Sequence, residues 1–262
     1  MAVNAVTMPA MRSIQRDGGQ ISVLGRAAAL LTAFRPDDRT VPMSELARRA
    51  GLAKPTAHRL CRQLVELGFL EDAPQGLRLG LRMFELGQLV PRQRGLRDTA
   101  RPFLEDLHRA SGETVHLAVL EVPDVVYVDK LASRGAPSIP SRIGGRMPAH
   151  CTAVGKVLLA HADPEVCAEV LAAPLTRQTP RTVVMRGVLL RELRQVRKLG
   201  VAHEYEESAV GIICAACPVL DASGRAIAAV SVSGWVNRLV FDRVIPALRT
   251  TALMLSRQYD GV

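Results

Sequence analysis

Three short helical patterns followed by two short alternating segments, between residues 23 and 79, constrain the fold more than any other feature of this sequence. Apolar residues recur at steps of three and four from Val23 to Phe34, which predicts a first helix ended by Pro36. A second helix is predicted from Ser44, whose hydroxyl is a good N-cap, to Gly51, where glycine adopts a left-handed turn at low cost.

A third helix and a β-hairpin complete this pattern. Pro55 fits the first turn of a helix because it lacks only an amide that has no partner there, and Gly68 closes the helix. The predicted buried stripe consists of Leu60, Leu64 and Leu67. Residues 69–71 and 77–79 flank a turn-rich tip, which predicts a hairpin. This order of elements is typical of a winged helix-turn-helix domain.

Strands mixed with helices follow beyond about residue 93. Strands are predicted at residues 114–122, 125–131, 138–143, 202–207, 211–219 and 225–233, and helices at 96–110 (interrupted by Pro102), 151–161, 163–173, 188–199 and 242–258. Because the strands do not alternate strictly with helices, the predicted class is α+β, with a mostly antiparallel six-stranded sheet flanked by helices. The predicted organisation is a poorly ordered tail at 1–20, the winged helix at 21–80, a linker helix at 81–93 and a second domain at 94–262.

Charge and composition narrow the function classes. The net charge is +9, which favours an anionic partner such as nucleic acid. The longest nearly uninterrupted apolar run, 209–220, is too short to span a membrane, and no signal peptide is recognised, so we expect a cytoplasmic protein without a membrane partner. Five cysteines, an odd number, argue for reduced thiols rather than a disulfide framework.

Basic charge is concentrated on the helix-turn-helix. Between Glu45 and Glu66 there are five basic residues and no acidic one. A recognition helix needs donors on its exposed face, and Pro55 leaves helix amides free for a DNA phosphate. We therefore expect this segment to bind double-stranded operator DNA, although a solvated basic face used for protein contacts remains an alternative. The predicted DNA-binding residues are Ser44, Lys54, Pro55, Thr56, His58, Arg59 and Arg62.

The second domain offers a candidate binding site. Ala149, Cys151 and Thr152 precede a helix start whose amides suit an anion, so a small organic acid is the expected ligand. Cys214 shares one strand face with Ala216, and Ser231 shares one with Ser233, so these faces are candidates for the walls of a pocket. The alternative is that these side chains are core or bond the backbone. Arg142 and Arg146 are further candidates to pair with a carboxylate.

Catalysis and metal binding are weaker interpretations. Cys151 beside His150 could form a thiol nucleophile with a base, but adjacent side chains at a helix entry point in different directions. Cys214 and Cys217 resemble half a zinc site, but residues three apart in a strand face opposite sides. No catalytic residue, metal site or cofactor is predicted.

Several stretches carry a family resemblance. Residues 41–47 (VPMSELA), 51–60 (GLAKPTAHRL), 112–118 (GETVHLA), 147–156 (MPAHCTAVGK), 215–219 (AACPV) and 231–234 (SVSG) resemble, in order and spacing, the IclR (isocitrate lyase regulator) family of bacterial transcription factors. The resemblance implies a GAF/profilin-like second domain, a homodimer or homotetramer, and a metabolite sensed by the second domain. It also implies an effector contact at an acidic position, here Glu204 or Glu206.

The sequence thus predicts a regulator that binds a near-palindromic operator and responds to a small effector. A DNA-binding activator without a ligand is the alternative within this class. An enzyme that uses the second domain is the alternative from another class, and turnover of a metabolite would distinguish it.

Overall fold

The computed structural model describes residues 22–259, without the side chains of residues 91–94. The tail predicted for residues 1–20 lies outside the described residues. The described chain forms two compact units that divide after Pro91, and the finer division with a linker helix at 81–93 stays a prediction. Over residues 22–259, no helix combines the length and apolarity needed to cross a membrane.

The N-terminal unit has the order of elements that the sequence predicts for a winged helix-turn-helix. It comprises α1 (Val23–Thr32), α2 (Met43–Arg49), α3 (Lys54–Glu66), β1 (Leu70–Ala73), β2 (Gly76–Leu79) and α4 (Leu81–Gln88). The two strands pair antiparallel to form the wing. Its core gathers Leu30, Leu46, Leu60, Leu64, Leu70 and Leu77.

Two details of this unit differ from the prediction. Ser44 does not cap α2, because the helix begins at Met43 with Pro42 in the cap position, and the exposed Ser44 lies inside the first turn. Leu67 is 52% exposed, because α3 ends before it and the turn at Gly68 takes it off the buried stripe.

The C-terminal unit is an α+β domain, as predicted. It contains α5 (Pro91–Ser111), β3 (Thr114–Glu121), β4 (Asp124–Leu131), β5 (Arg146–Pro148), α6 (Ala153–Ala160), α7 (Pro164–Ala172), α8 (Arg186–Leu199), β6 (Ala202–Tyr205), β7 (Ile212–Leu220), β8 (Ala226–Trp235) and α9 (Phe241–Gln258). The strand order is β5-β4-β3-β8-β7-β6, and every neighbouring pair is antiparallel.

Helices cover both faces of this sheet. One face packs against α5 and α9 through residues such as Leu104, Leu248 and Val230. The other face packs against α6, α7 and α8 through residues such as Val157 and Leu189. Side chains that alternate along one strand therefore enter two different cores.

Three predictions for this unit were wrong. The strand expected at 138–143 is absent, since Pro137 and Pro140 have no amide for a ladder, and the short β5 forms later at Arg146. The helix expected to start at Cys151 starts at Ala153, after a single 3₁₀ turn. α5 continues through Pro102 instead of breaking there, because its face is buried against the sheet on both sides of the proline.

Candidate functional site

The exposed face of α3 carries the predicted DNA-binding side chains. The helix buries Ala57, Leu60, Cys61 and Leu64, which leaves Lys54, Pro55, His58, Arg59 and Arg62 exposed and Thr56 half-buried. No side chain caps its N-terminus, where Ala53 takes the cap position. The first turn of α3 therefore presents backbone amides beside a lysine, an arrangement that suits a phosphate group.

Ion pairs within the N-terminal unit reduce the charge concentration that the sequence suggests. Arg48 lies 2.7 Å from Glu45, Arg49 lies 2.5 Å from Asp38, and Arg62 of α3 lies 3.2 Å from Asp72 of the wing. Hydrogen bonds from Arg48 and Arg49 lower the pKa of Glu45 to about 2. Lys54 and Arg59 form no ion pair within residues 22–259, so they are the unneutralised cations of this face.

A small cavity lies in the C-terminal unit, where the start of α6 meets the sheet. It is lined by His116, Tyr127, Ile139, Met147, Thr152, Ala153, Val154, Glu204, Ser208, Ile212, Cys214, Ser231 and Ser233. Its volume is about 10 Å³, close to the minimum for one water molecule. At the helix start, Thr152 caps α6 by accepting a hydrogen bond from the Gly155 amide at 3.2 Å.

Strand pairing assembles the polar wall of this cavity. His116 of β3 lies opposite Ser231 of β8, and Cys214 of β7 lies opposite Ser233. The His116 Nδ1 atom is 3.3 Å from Ser231 Oγ and 3.4 Å from Ser233 Oγ. Burial lowers the pKa of His116 to about 3, so its ring is neutral near pH 7.

Glu204 of β6 contributes the one carboxylate that the described residues place in the cavity wall, and it is 1% exposed. Its Oε1 atom accepts hydrogen bonds from the backbone amides of Glu207 and Ser208. Burial raises the pKa of Glu204 to about 7, despite these two hydrogen bonds.

A buried ion cluster lies beside the cavity. The ammonium group of Lys156 on α6 is 2.5 Å from Glu207 and 2.8 Å from Glu192. Burial opposes the charge of Lys156, but the two carboxylates outweigh it and raise the pKa of the ammonium group. Lys156 is therefore charged and already paired.

Five of the predicted effector residues line the cavity, namely Thr152, Glu204, Cys214, Ser231 and Ser233. The other two, Ala149 and Cys151, do not line it; both are buried in the 3₁₀ turn before α6. Glu206 pairs with Arg181, and Arg146 lies 3.9 Å from Asp124, so neither contributes to the wall. His116 also lines the cavity but was not predicted from the sequence. Its position becomes predictable only when β3 is known to pair with β8, which places His116 opposite Ser231.

The surroundings of Cys151, Cys214 and Cys217 do not favour a thiol nucleophile or a zinc site. His150 Nε2 is 3.0 Å from the Thr176 carbonyl oxygen, and burial raises the pKa of Cys151 to about 12, so the thiol stays protonated. Cys214 and Cys217 belong to opposite faces of β7, as predicted. Within residues 22–259, no three His, Cys, Asp or Glu side chains are grouped to hold a metal ion.

Comparison with known protein families gives two matches. The family described as "Bacterial transcriptional regulator IclR C-terminal" matches residues 88–257, and the "IclR helix-turn-helix domain" matches residues 23–74. The HTH-type transcriptional regulator XynR of Escherichia coli is 34% identical, over 84% of this chain and 88% of that protein. The transcriptional repressor IclR of the same organism is 32% identical, over 86% of this chain and 84% of the repressor.

A solved structure is also similar. An IclR homologue from Microbacterium hydrocarbonoxydans, complexed with 4-hydroxybenzoate, superposes with a TM-score of 0.83. It is 34% identical to this chain and covers 90% of this chain and 98% of its own.

Proposed function

The chain belongs to the IclR family of bacterial transcriptional regulators, and from that premise we propose that it binds one operator sequence and responds to one small organic acid. The observation that carries this proposal is the combination of an exposed, uncapped α3 with a polar cavity at the start of α6. Its partner is double-stranded DNA, so we place its action in the cytoplasm.

We assign DNA reading to α3. Lys54, Thr56, His58 and Arg59 occupy its N-terminal half, where recognition helices contact base edges. Arg59 is suited to a base contact because it is exposed and has no acidic partner in the described part of the chain. We assign contacts with the phosphate backbone, which position the protein, to Ser44 in the first turn of α2 and to Arg62 of α3, and a van der Waals contact to Pro55, which has no N–H to donate.

We assign self-association to α4, in a homodimer that can pair into a homotetramer. This helix buries none of its residues, and its apolar side chains Leu81 and Phe84, with Leu89 at its C-cap, are 63%, 62% and 68% exposed. Such an apolar surface is typical of a protein interface. A dimer also suits a near-palindromic operator, because two recognition helices then occupy successive major grooves.

We assign effector binding to the cavity. The first turn of α6 at Ala153 and Val154 lines it, and a helix start leaves amides without intrahelical partners. Ser231, Ser233 and Thr152 add hydroxyl groups. The 4-hydroxybenzoate bound to the Microbacterium homologue supports an organic acid as the ligand class.

A cavity of about 10 Å³ has to widen to admit such an acid. The segment at 132–145 contributes Ile139 to the wall and is tied down through Ser141. Ser141 Oγ is 2.8 Å from His116 Nε2, and the Lys130 ammonium group donates to the Ser141 carbonyl at 2.7 Å. We expect the ligand to displace the part of this segment around Ile139, because it belongs to no helix or strand and can move without breaking the sheet.

Selection from a random-sequence DNA library tests the first half of the proposal. We expect the purified chain to enrich one near-palindromic sequence with two half-sites about one helical turn apart. Enrichment of no sequence would contradict operator binding. Turnover of an acid by the same preparation would favour the enzyme alternative instead.

A further inference from the structure

In the part of the chain that the structure describes, no positively charged side chain lines the cavity wall. Its polar groups are hydroxyls, one thiol, the neutral His116 ring and the carboxyl group of Glu204. Arg146 pairs with Asp124, and Lys130 donates to the Ser141 carbonyl, so neither of these cations lines the wall. An anionic ligand would therefore enter a site that already holds the carboxyl group of Glu204, which is negative when ionised.

Glu204 offers a free oxygen to this cavity. Both of its hydrogen bonds with backbone amides are made by Oε1. Within residues 22–259, no hydrogen bond or ion pair joins Oε2 to another group. This oxygen is therefore available to accept from, or when protonated donate to, a ligand that enters the cavity.

The groups that face Glu204 do not compensate a second negative charge. On α6, Lys156 is paired with Glu207 and Glu192. Cys214 of β7, Tyr127 of β4 and Cys151 before α6 all have a raised pKa because of burial, and His116 of β3 is neutral. Two adjacent carboxylates in this setting would repel each other strongly.

We propose that the effector is a small carboxylic acid that binds with uptake of one proton, held between its carboxyl group and Oε2 of Glu204. This inference rests on the proposed organic-acid function. The proton comes from solvent, no covalent bond changes, and the bound pair carries one negative charge instead of two. The remaining charge faces the amides at the start of α6, which stabilise an anion. Because burial raises the pKa of Glu204 to about 7, the proton is available near neutral pH.

Calorimetric titration of the full chain with 4-hydroxybenzoate, benzoate and lactate tests this. Paired buffers with different ionisation enthalpies give the number of protons taken up. We expect an uptake approaching one proton at about pH 8.5, and an apparent Kd that rises about tenfold per pH unit above pH 7. Near pH 6 we expect little uptake, because free Glu204 already carries the proton.

The variant Glu204→Gln removes the titratable proton but keeps the hydrogen bonds that hold this side chain in the fold. The glutamine carbonyl still accepts the two backbone amides, and its NH₂ group donates to a ligand carboxylate, as the protonated acid does. We expect this variant to bind the same acid with no proton uptake and a pH-independent Kd. The control Glu165→Gln, at an exposed residue of α7, should behave as wild type.

Three other results would contradict the proposal. Binding by wild type without proton uptake overturns the inference and indicates a ligand that donates to an ionised Glu204. Unchanged pH dependence in Glu204→Gln also overturns it, because the proton then belongs to another group. If none of the three acids binds, the organic-acid function fails, and this inference fails with it.

Discussion

Glu204 links the cavity to the stability of the C-terminal unit. Its pKa is about 7 in the folded chain, above the ordinary value of 4.5, so folding favours the protonated form. Its contribution to stability is therefore fully present below about pH 4.5 and is lost as the pH rises through 7. From the size of the shift, the loss amounts to about 3 kcal/mol.

Urea unfolding of wild type and Glu204→Gln measures this contribution. Trp235 lies on β8 and is the only tryptophan, so its fluorescence reports the C-terminal unit. We expect the free energy of unfolding of wild type to fall, relative to the variant, between pH 5 and pH 8. Parallel pH profiles for the two proteins would show that Glu204 does not have a raised pKa.

Substitutions of Arg59 and Lys54 on α3 should affect DNA binding in different ways. Arg59→Ala should weaken operator binding by roughly 1–3 kcal/mol, because a base contact is lost. Lys54→Ala should reduce the slope of log affinity against log salt by about one, because one phosphate contact is lost. Fluorescence anisotropy at several salt concentrations measures both effects. Arg109→Ala, an exposed arginine of α5, is the control. If both α3 variants match this control, α3 does not contact DNA.

Some residues of the cavity wall could be predicted from the sequence, and others could not. Ser231, Ser233 and Cys214 were found because alternation along a strand fixes which side chains share a face. His116 was missed because its place in the wall depends on pairing with a strand more than a hundred residues later. Cys151 does not line the cavity, because the 3₁₀ turn before α6 that carries it cannot be recognised from periodicity.

At the scale of elements, periodicity predicted the helices and the long strands, and the winged helix-turn-helix and the antiparallel sheet are confirmed. The family that the motifs indicated is confirmed as well. The segment at 138–143 was misassigned because its alternation of residues resembles a strand, whereas Pro137 and Pro140 prevent a ladder. The cancellation of basic charge by Asp38 and Asp72 could not be predicted, since these residues lie outside the helices of the arginines they pair with, at separations of 11 and 10 residues, so helical periodicity does not relate the partners.

If the apolar surface of α4 is the self-association interface, a charge placed on it should dissociate the oligomer. Phe84→Asp places a charge in the middle of that surface, where burial of an unpaired carboxylate is costly. We expect wild type to be a dimer or tetramer at micromolar concentration, and this variant to dissociate to a monomer in sedimentation. Met185→Asp, at a 68% exposed residue of the C-terminal unit, should leave the assembly intact. An unchanged assembly in Phe84→Asp would exclude α4 from the interface.

For the whole molecule, the proposed function requires that binding of an acid in the cavity and binding of operator DNA change each other's affinity. Coupling between two binding sites is reciprocal, so an acid that changes operator affinity must have its own affinity changed by the same factor. Ile139→Trp provides an uncoupled control, because it fills the cavity from the 132–145 segment without adding bulk to the core. Cys151→Trp is unsuitable for this purpose, since Cys151 is fully buried and overpacking there would disturb the fold.

The most direct test is the affinity of the full chain for its selected operator, measured by anisotropy with and without a saturating acid that calorimetry shows to bind. We expect a change in operator affinity of about fivefold or more, an equal change in acid affinity when operator is present, and neither change in Ile139→Trp. An acid that binds wild type while leaving operator affinity unchanged would show that the cavity does not regulate DNA binding.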